Sequence, residues 1–326
     1  MSDDVSKNSA GETERLEVYI CSVADAARNI RLYALKALNR EPLPAFTAGA
    51  HIDLHLSNGL IRSYSICNRP VDGETYIIAV HRDPAGRGGS RFIHEHLVPG
   101  KTLHISRPRN HFPLDESAQH TIMIAGGIGI TPFRPMIYHL QALKRSWQLY
   151  YCVRSRDCAA FIDEWQAMAE YAHIHVADEM GNKRLKIGSI VTHAPAETHF
   201  YCCGPQGMLA EFEQTLSASP HEYVHVEYFS AKETEGANDA FEVELARTGK
   251  SLHVAPDQSI LEVVLDAGVE VSHACSEGVC GACETHVLSG IPDHRDSVLS
   301  FAEKSAGNKM LICCSRAKSE RLVLDL

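Results

Sequence analysis

No run of about 18 consecutive apolar residues occurs in this chain, so a membrane-spanning helix is not expected. Nor is there an apolar N-terminal stretch of the kind a secretory leader needs, and the 11 cysteines are an odd number. A disulfide framework is therefore a poor account of those cysteines, and free thiols suit a cytoplasmic setting. Positive charge is in deficit. A net charge of −10 argues against nucleic acid as a partner, and the absence of a DNA-binding element or basic patch argues against a redox-sensing regulator. There is no internal repeat. Against these absences, 44% apolar and 22% charged residues are ordinary for a globular protein, and 326 residues suffice for two or three domains, each with its own core.

The most informative feature present is a set of four cysteines. Cys275, Cys280 and Cys283 lie in Cys-Ser-Glu-Gly-Val-Cys-Gly-Ala-Cys, and Cys313 follows Met310-Leu-Ile. The order Cys-x4-Cys-x2-Cys, then a remote Cys, is the plant-type ligand spacing of a 2Fe–2S cluster. Zinc more often takes two close pairs, which this is not. A loop wrapped around a cluster aims thiolates inward and turns backbone N–H groups toward sulfur, and Gly278 and Gly281 suit such a path. The run 310–312 reads as a short strand; successive strand residues face opposite ways, so of Cys313 and Cys314 only one should point at iron.

The texture of the chain changes along its length. Residues 1–13 are small and polar and read as a disordered tail. Short alternating runs such as Leu16–Ile20 and Ile52–Leu56, separated by Gly, Pro and Asn, suggest an antiparallel β-barrel over 14–115. Over 116–230, apolar strands at 122–125, 149–153, 174–176 and 200–203 alternate with helical stretches, the pattern of a doubly wound α/β sheet. A polar linker at 231–239 then leads to the cysteine module, 240–326.

Two glycine turns point to the electron source. Gly126-Gly127-Ile-Gly129-Ile-Thr131-Pro132 follows the 122–125 strand and enters a helix, with Pro132 near the first turn and Thr131 as its cap. Such a turn offers N–H groups and the positive end of the helix dipole to phosphate, although the strict Gly-x-Gly-x-x-Gly fingerprint is missing. Cys203-Gly204-Pro205 closes the 200–203 strand and precedes a second helix from about 206. Two such turns at neighbouring strand ends would hold one dinucleotide, its pyrophosphate at the first and its nicotinamide at the second.

A hydride carries two electrons and the cluster accepts one, so a carrier that takes two and releases them singly is required, and a flavin does this. In Arg62-Ser63-Tyr64-Ser65, Tyr64 is placed to stack along the flavin, and the Ser65 backbone and hydroxyl to reach its N5. In Gly86-Arg87-Gly88-Gly89-Ser90, glycine N–H groups, a hydroxyl and a guanidinium make a phosphate cradle ahead of a helix.

Taken together, Arg62–Ser65, Gly86–Ser90, Gly126–Pro132, Cys203–Pro205, Glu227-Tyr-Phe229 and the four cysteines resemble the phthalate dioxygenase reductase family, within the ferredoxin–NADP reductase superfamily. The resemblance runs from about residue 14 to the C-terminus and includes the layout of vanillate demethylase reductases. It implies a flavin barrel, a nucleotide domain and an α+β plant-type ferredoxin of β-grasp fold. It also implies FMN, with its phosphate on the 86–90 loop and Arg62 at the phosphate or ribityl chain. Ser65 would sit near N5, Cys203 near the nicotinamide, and Glu227 and Phe229 over or beside the flavin. Family membership further implies NADH as donor and a separate Rieske-type terminal oxygenase as acceptor, with a cytochrome P450 or another acceptor protein as the rival. Arg154 and Arg156, after the 149–153 strand, could hold a 2′-phosphate or serve the pyrophosphate or the surface.

Overall fold

The computed structural model describes residues 15–230 and 238–326; the tail at 1–13 and most of the linker at 231–239 therefore lie outside the described residues. Two compact units result, one spanning Leu16–Ser230, the other containing the described C-terminal residues.

The first unit opens with β1 (Leu16–Ala27), β2 (Ile30–Ala37), β3 (His51–His55), β4 (Ile61–Ser65), β5 (Tyr76–His81), α1 (Gly89–His96) and β6 (Thr102–Ile105). The strands form one antiparallel sheet in the order β4-β3-β6-β1-β2-β5. A bridge between Ile66 and Ile78 joins its two edges and closes the barrel. Alternation sets the interior: Val18 and Ile20 from β1, Tyr33 and Leu35 from β2, and Ile52 and Leu54 from β3 are all fully buried. Asn29, in the left-handed region, makes the tight β1–β2 turn.

The same unit continues with β7 (His120–Gly126), α2 (Phe133–Ala142), β8 (Ser146–Val153), α3 (Ile162–Ala167), β9 (Ala172–Val176), α4 (Ile187–His193), β10 (Thr198–Cys203), α5 (Gln206–Ser217) and β11 (Val224–Glu227). All five strands are parallel, in the order β11-β10-β7-β8-β9. Helices cover both faces, which is why β7 and β10 read as continuous apolar runs rather than alternating ones. Strand order reverses between β7 and β10, the switch point at which ligands bind beyond the strand ends.

The second unit holds β12 (Phe241–Leu245), β13 (Lys250–Val254), α6 (Ile260–Asp266), β14 (Glu284–Ser289), β15 (Pro292–Asp293), α7 (Phe301–Ala306), β16 (Lys309–Leu311), β17 (Arg316–Ala317) and β18 (Arg321–Leu324). Its mixed sheet runs β13-β12-β18-β14-β16, with β15 and β17 paired separately. Helices α6 and α7 each begin with a capping box, Ser259 with Glu262 and Ser300 with Glu303. Asn238 and Asp239, the described end of the expected linker, are tied to this unit: Arg295 donates to the Asn238 side chain at 2.6 Å and Arg316 to the Asp239 carbonyl at 3.0 Å.

Candidate functional site

The two glycine turns meet at the switch point. A Cβ on Gly129 would lie 2.3 Å from the Cys203 carbonyl oxygen, and one on Gly126 would lie 2.5 Å from Pro205 and 3.2 Å from the Gly204 Cα. The turns are therefore packed backbone to backbone, and no side chain fits between them. They floor a cleft of about 780 Å³ that Gly127, Gly204, Pro205, Arg28, Arg154 and Phe229 also line. Thr131 is not the expected cap. Residues 127–130 form a 3-10 turn running into α2, and the Thr131 hydroxyl donates to the Ile128 carbonyl at 3.0 Å. Pro132 occupies the N-cap position without a side-chain cap. Of the arginines after β8, Arg154 faces the cleft, while Arg156 is held by both carboxylate oxygens of Glu179 at 2.5 and 2.8 Å.

Parallel register sets three residues side by side at the strand ends: Ala125 pairs with Cys203, and Cys203 with Glu227. The Cys203 thiol is fully buried and touches the Glu227 carboxyl. Burial, with Glu227 and Cys202 adding to it, pushes that thiol well above its ordinary range. The Glu227 carboxyl is pushed up to about 8, mainly by loss of solvation, and its Oε2 is buried without a hydrogen-bond partner. Phe229 stands 41% exposed at the mouth of the cleft.

On the barrel side, β4 presents Arg62 through Ser65. The Ser65 hydroxyl is buried and has no partner in the protein, a cost that a bound polar group would remove. Ser63 differs: its hydroxyl donates to Asp53 Oδ1 at 2.6 Å, and Arg109 holds the other oxygen of Asp53 at 2.5 Å. Tyr64 packs on the barrel core, and burial raises its phenol well above the ordinary range. Arg62 lies under the 86–90 loop: Nη2 donates to the Arg87 carbonyl at 3.1 Å, and a Cβ on Gly89 would strike its Nε at 2.4 Å. Gly88, with φ +80°, caps α1 in a conformation that suits glycine. The Ser90 hydroxyl accepts from the Asp83 amide at 3.1 Å. The orphaned Ser65 hydroxyl and the glycine-lined helix start fit a flavin carrying a terminal phosphate.

In the second unit, Cys275, Cys280, Cys283 and Cys313 are all buried. The Cys275 thiol lies within hydrogen-bonding reach of the thiols of Cys280 and Cys313. Backbone N–H groups point at sulfur as a cluster loop requires: Cys275 N to Cys280 Sγ at 3.4 Å, and Glu277 N to Cys275 Sγ at 3.3 Å. Gly278 and Gly281 both have φ of +71°. These thiols and amides fit a 2Fe–2S cluster. Strand alternation does not choose between Cys313 and Cys314, because β16 ends at Leu311 and both cysteines lie in the turn after it. Cys314 is placed instead against Gly278, where a Cβ would lie 2.4 Å from its sulfur.

Arg28 was not anticipated. From the β1–β2 turn it reaches the loop after β8, donating to Ser155 Oγ at 3.3 Å and pairing with Asp157 at 3.1 Å. Its partners lie more than 120 residues away in sequence, so no local pattern announces it.

Comparison with known proteins agrees with this geometry. Residues 243–318 match the model of the 2Fe-2S iron-sulfur cluster binding domain, and residues 123–214 that of the oxidoreductase NAD-binding domain. Phenoxybenzoate dioxygenase subunit beta of Ectopseudomonas oleovorans is 45% identical over 307 residues, 94% of this chain and 96% of its own. The crystal structure of phthalate dioxygenase reductase, described as a modular structure for electron transfer from pyridine nucleotides to [2Fe-2S], superposes with a TM-score of 0.72. It is 40% identical, with 96% of this chain and 98% of that one covered. An intact type IV self-sufficient cytochrome P450 monooxygenase superposes with a TM-score of 0.88 at 36% identity; 96% of this chain is covered, but it spans only 41% of that longer protein. Identity of 40% over nearly the whole of both chains places this one in the phthalate dioxygenase reductase family.

Proposed function

We propose that this protein is the NADH-dependent reductase of a two-component oxygenase, passing electrons through FMN and a 2Fe–2S cluster to a separate Rieske-type terminal oxygenase in the cytoplasm. The observation that carries the reading is the contact between the two glycine turns at the switch point, with Cys203 and Glu227 aligned beside them. In this reading residues 14–115 hold the flavin, 116–230 the nucleotide and 240–326 the cluster.

When bound, these groups supply the hydride and single-electron chemistry, and the chain supplies position and surroundings. Gly126, Gly127, Gly129, Thr131 and Pro132 shape the pyrophosphate seat, where backbone can approach phosphate closely. Gly204 and Pro205, with Cys203 directly before them, would line the seat of the nicotinamide. Arg62, Arg87, Gly88, Gly89 and Ser90 would take the flavin phosphate end, and the Ser63 hydroxyl, donating to Asp53, would have acceptor lone pairs to offer there. Tyr64 and Phe229 would offer the flavin apolar surface. Ser65 offers its unpaired hydroxyl near N5, and Glu227 keeps a carboxyl proton to pH about 8 beside Cys203. Cys275, Cys280, Cys283 and Cys313 are the cluster ligands.

A cytochrome P450 acceptor is the second reading, favoured by the high superposition on 41% of the self-sufficient monooxygenase. An anaerobic NADH titration, followed by identification of the released flavin, tests the shared core: flavin and cluster bands should both bleach, and the flavin should be FMN. An unreduced flavin would sink it. Turnover with a Rieske oxygenase but not with a P450 would then separate the two acceptors.

A further inference from the structure

Arg134 lies in the first turn of α2, directly after the 126–132 glycine turn, and its side chain is only 18% exposed. Its guanidinium crosses from the nucleotide side of the unit to the barrel side. Nη1 donates to the carbonyl of Cys67 at 2.9 Å, and Nε donates to Glu164 Oε2 at 2.9 Å. The same group lies over the rings of Phe161 and Tyr138, at 4.4 and 5.0 Å from their centroids. Phe161 holds a left-handed backbone conformation, φ +58°, that a bulky side chain rarely adopts. Such a conformation persists where its surroundings over-determine it, and here it places the ring on Arg134.

The far end of this link is what gives it meaning. Cys67 is fully buried and stands two residues beyond Ser65, the end of the flavin strand. Its amide donates to Ile77 at 2.8 Å and the preceding amide to Ala50 at 2.9 Å, so the 65–67 segment is fixed within the barrel. One side chain thus joins the helix that starts at the pyrophosphate turn to the main chain that carries the flavin-facing serine. A surface ion pair would be worth little; a sheltered guanidinium shared between a carboxylate, a carbonyl and two aromatic faces defines a geometry.

We infer that Arg134 is a positioning residue for hydride transfer. It sets the separation between the nicotinamide held at the glycine turns and the flavin held at β4, and so acts through Cys67 rather than on either ring. The inference rests on the proposed NADH–flavin reading. Misplacement of reacting groups by about 1 Å can cost on the order of 100-fold in rate, which sets the expected size of the effect.

The test compares full-length, FMN-loaded protein with Arg134→Met and Arg134→Lys. Anaerobic stopped-flow should find the limiting rate of flavin reduction by NADH lowered about 10- to 100-fold in Arg134→Met by the same reasoning, with the half-saturating NADH concentration little changed. The Lys variant, which keeps the charge but not the planar fork, should recover part of the rate. Independently of turnover, amide hydrogen exchange in segment 65–68 should speed up in Arg134→Met, and the long-wavelength absorbance of the NADH–flavin contact should weaken. A full-occupancy Arg134→Met with native limiting rate, contact band and exchange overturns the inference. If Arg134→Met does not fold, a native rate in Arg134→Lys does the same, because one ammonium nitrogen cannot occupy the positions of both Nε and Nη1. Should the unmutated protein fail to be reduced by NADH at all, the proposed function fails, and the exchange comparison still decides whether Arg134 fixes Cys67.

Discussion

Glu227 holds a proton across the physiological range because its carboxyl has lost solvent, with one oxygen sealed and unpartnered. The linkage has a definite sign. The unfolded chain releases this proton near the ordinary value of 4.5, whereas the fold keeps it to about 8, so stability falls as pH rises between those values. Removing the acid should abolish that loss. Glu227→Gln is expected to melt above the unmodified protein at pH 8.5, and the difference should shrink toward pH 5; thermal melts at the two pH values decide it. At the same scale, Gly89 exists for Arg62. A Cβ there would overlap the guanidinium at 2.4 Å, so Gly89→Ala should displace Arg62 and weaken FMN retention about tenfold or more, the order expected for losing one charge-assisted contact. Dialysis followed by flavin quantification reads this directly, and undiminished flavin would free Arg62 from that role.

At the scale of elements, β7, β10 and their glycine turns behave as one object. Gly129→Ala would put a methyl group 2.3 Å from the Cys203 carbonyl, and backbone has no rotamer with which to yield. The expected outcome is a folded protein whose half-saturating NADH concentration rises at least about tenfold, or a loss of folding, as for other overpacked sites; normal NADH kinetics would place the nucleotide elsewhere. Much at this scale was legible in the sequence, because local chemistry wrote it. Continuous apolar runs marked the parallel strands, alternation marked the barrel, and glycine, proline and cysteine spacing marked the turns and the cluster loop. What was not legible is what depends on partners far along the chain. Thr131 looked like a cap because it precedes a helix, but the 3-10 turn ahead of it had already begun that helix. The apolar run before Cys313 and Cys314 suggests that they continue a strand, but the strand stops at Leu311. Arg134 and Cys67 are 67 positions apart and Arg28 and Asp157 further still, and no periodicity encodes such pairs.

For the whole molecule, the cluster thiols all lie in one compact unit and the flavin strand and nucleotide turns in the other. Function should divide the same way. Cys283→Ser is expected to abolish the cluster absorbance and electron delivery to an acceptor protein while leaving flavin reduction by NADH within about twofold, since sites without shared partners act independently. Rapid-mixing measurements at the flavin and cluster wavelengths check both halves, and an equal loss of flavin reduction would contradict the division. The sheet of the cluster unit carries a consequence in time. Its strand β18 lies between β12 and β14 and pairs in parallel with β12, some 80 residues earlier in the chain. Until the centre strand is added, β12 and β14 each keep one open edge, and such long-range pairing forms slowly. Cys275, Cys280 and Cys283 are therefore translated before residues 321–324, the strand that completes the sheet of their unit. The cluster unit is thus closed by a strand near the end of the chain, whereas every strand of the other unit lies before residue 231.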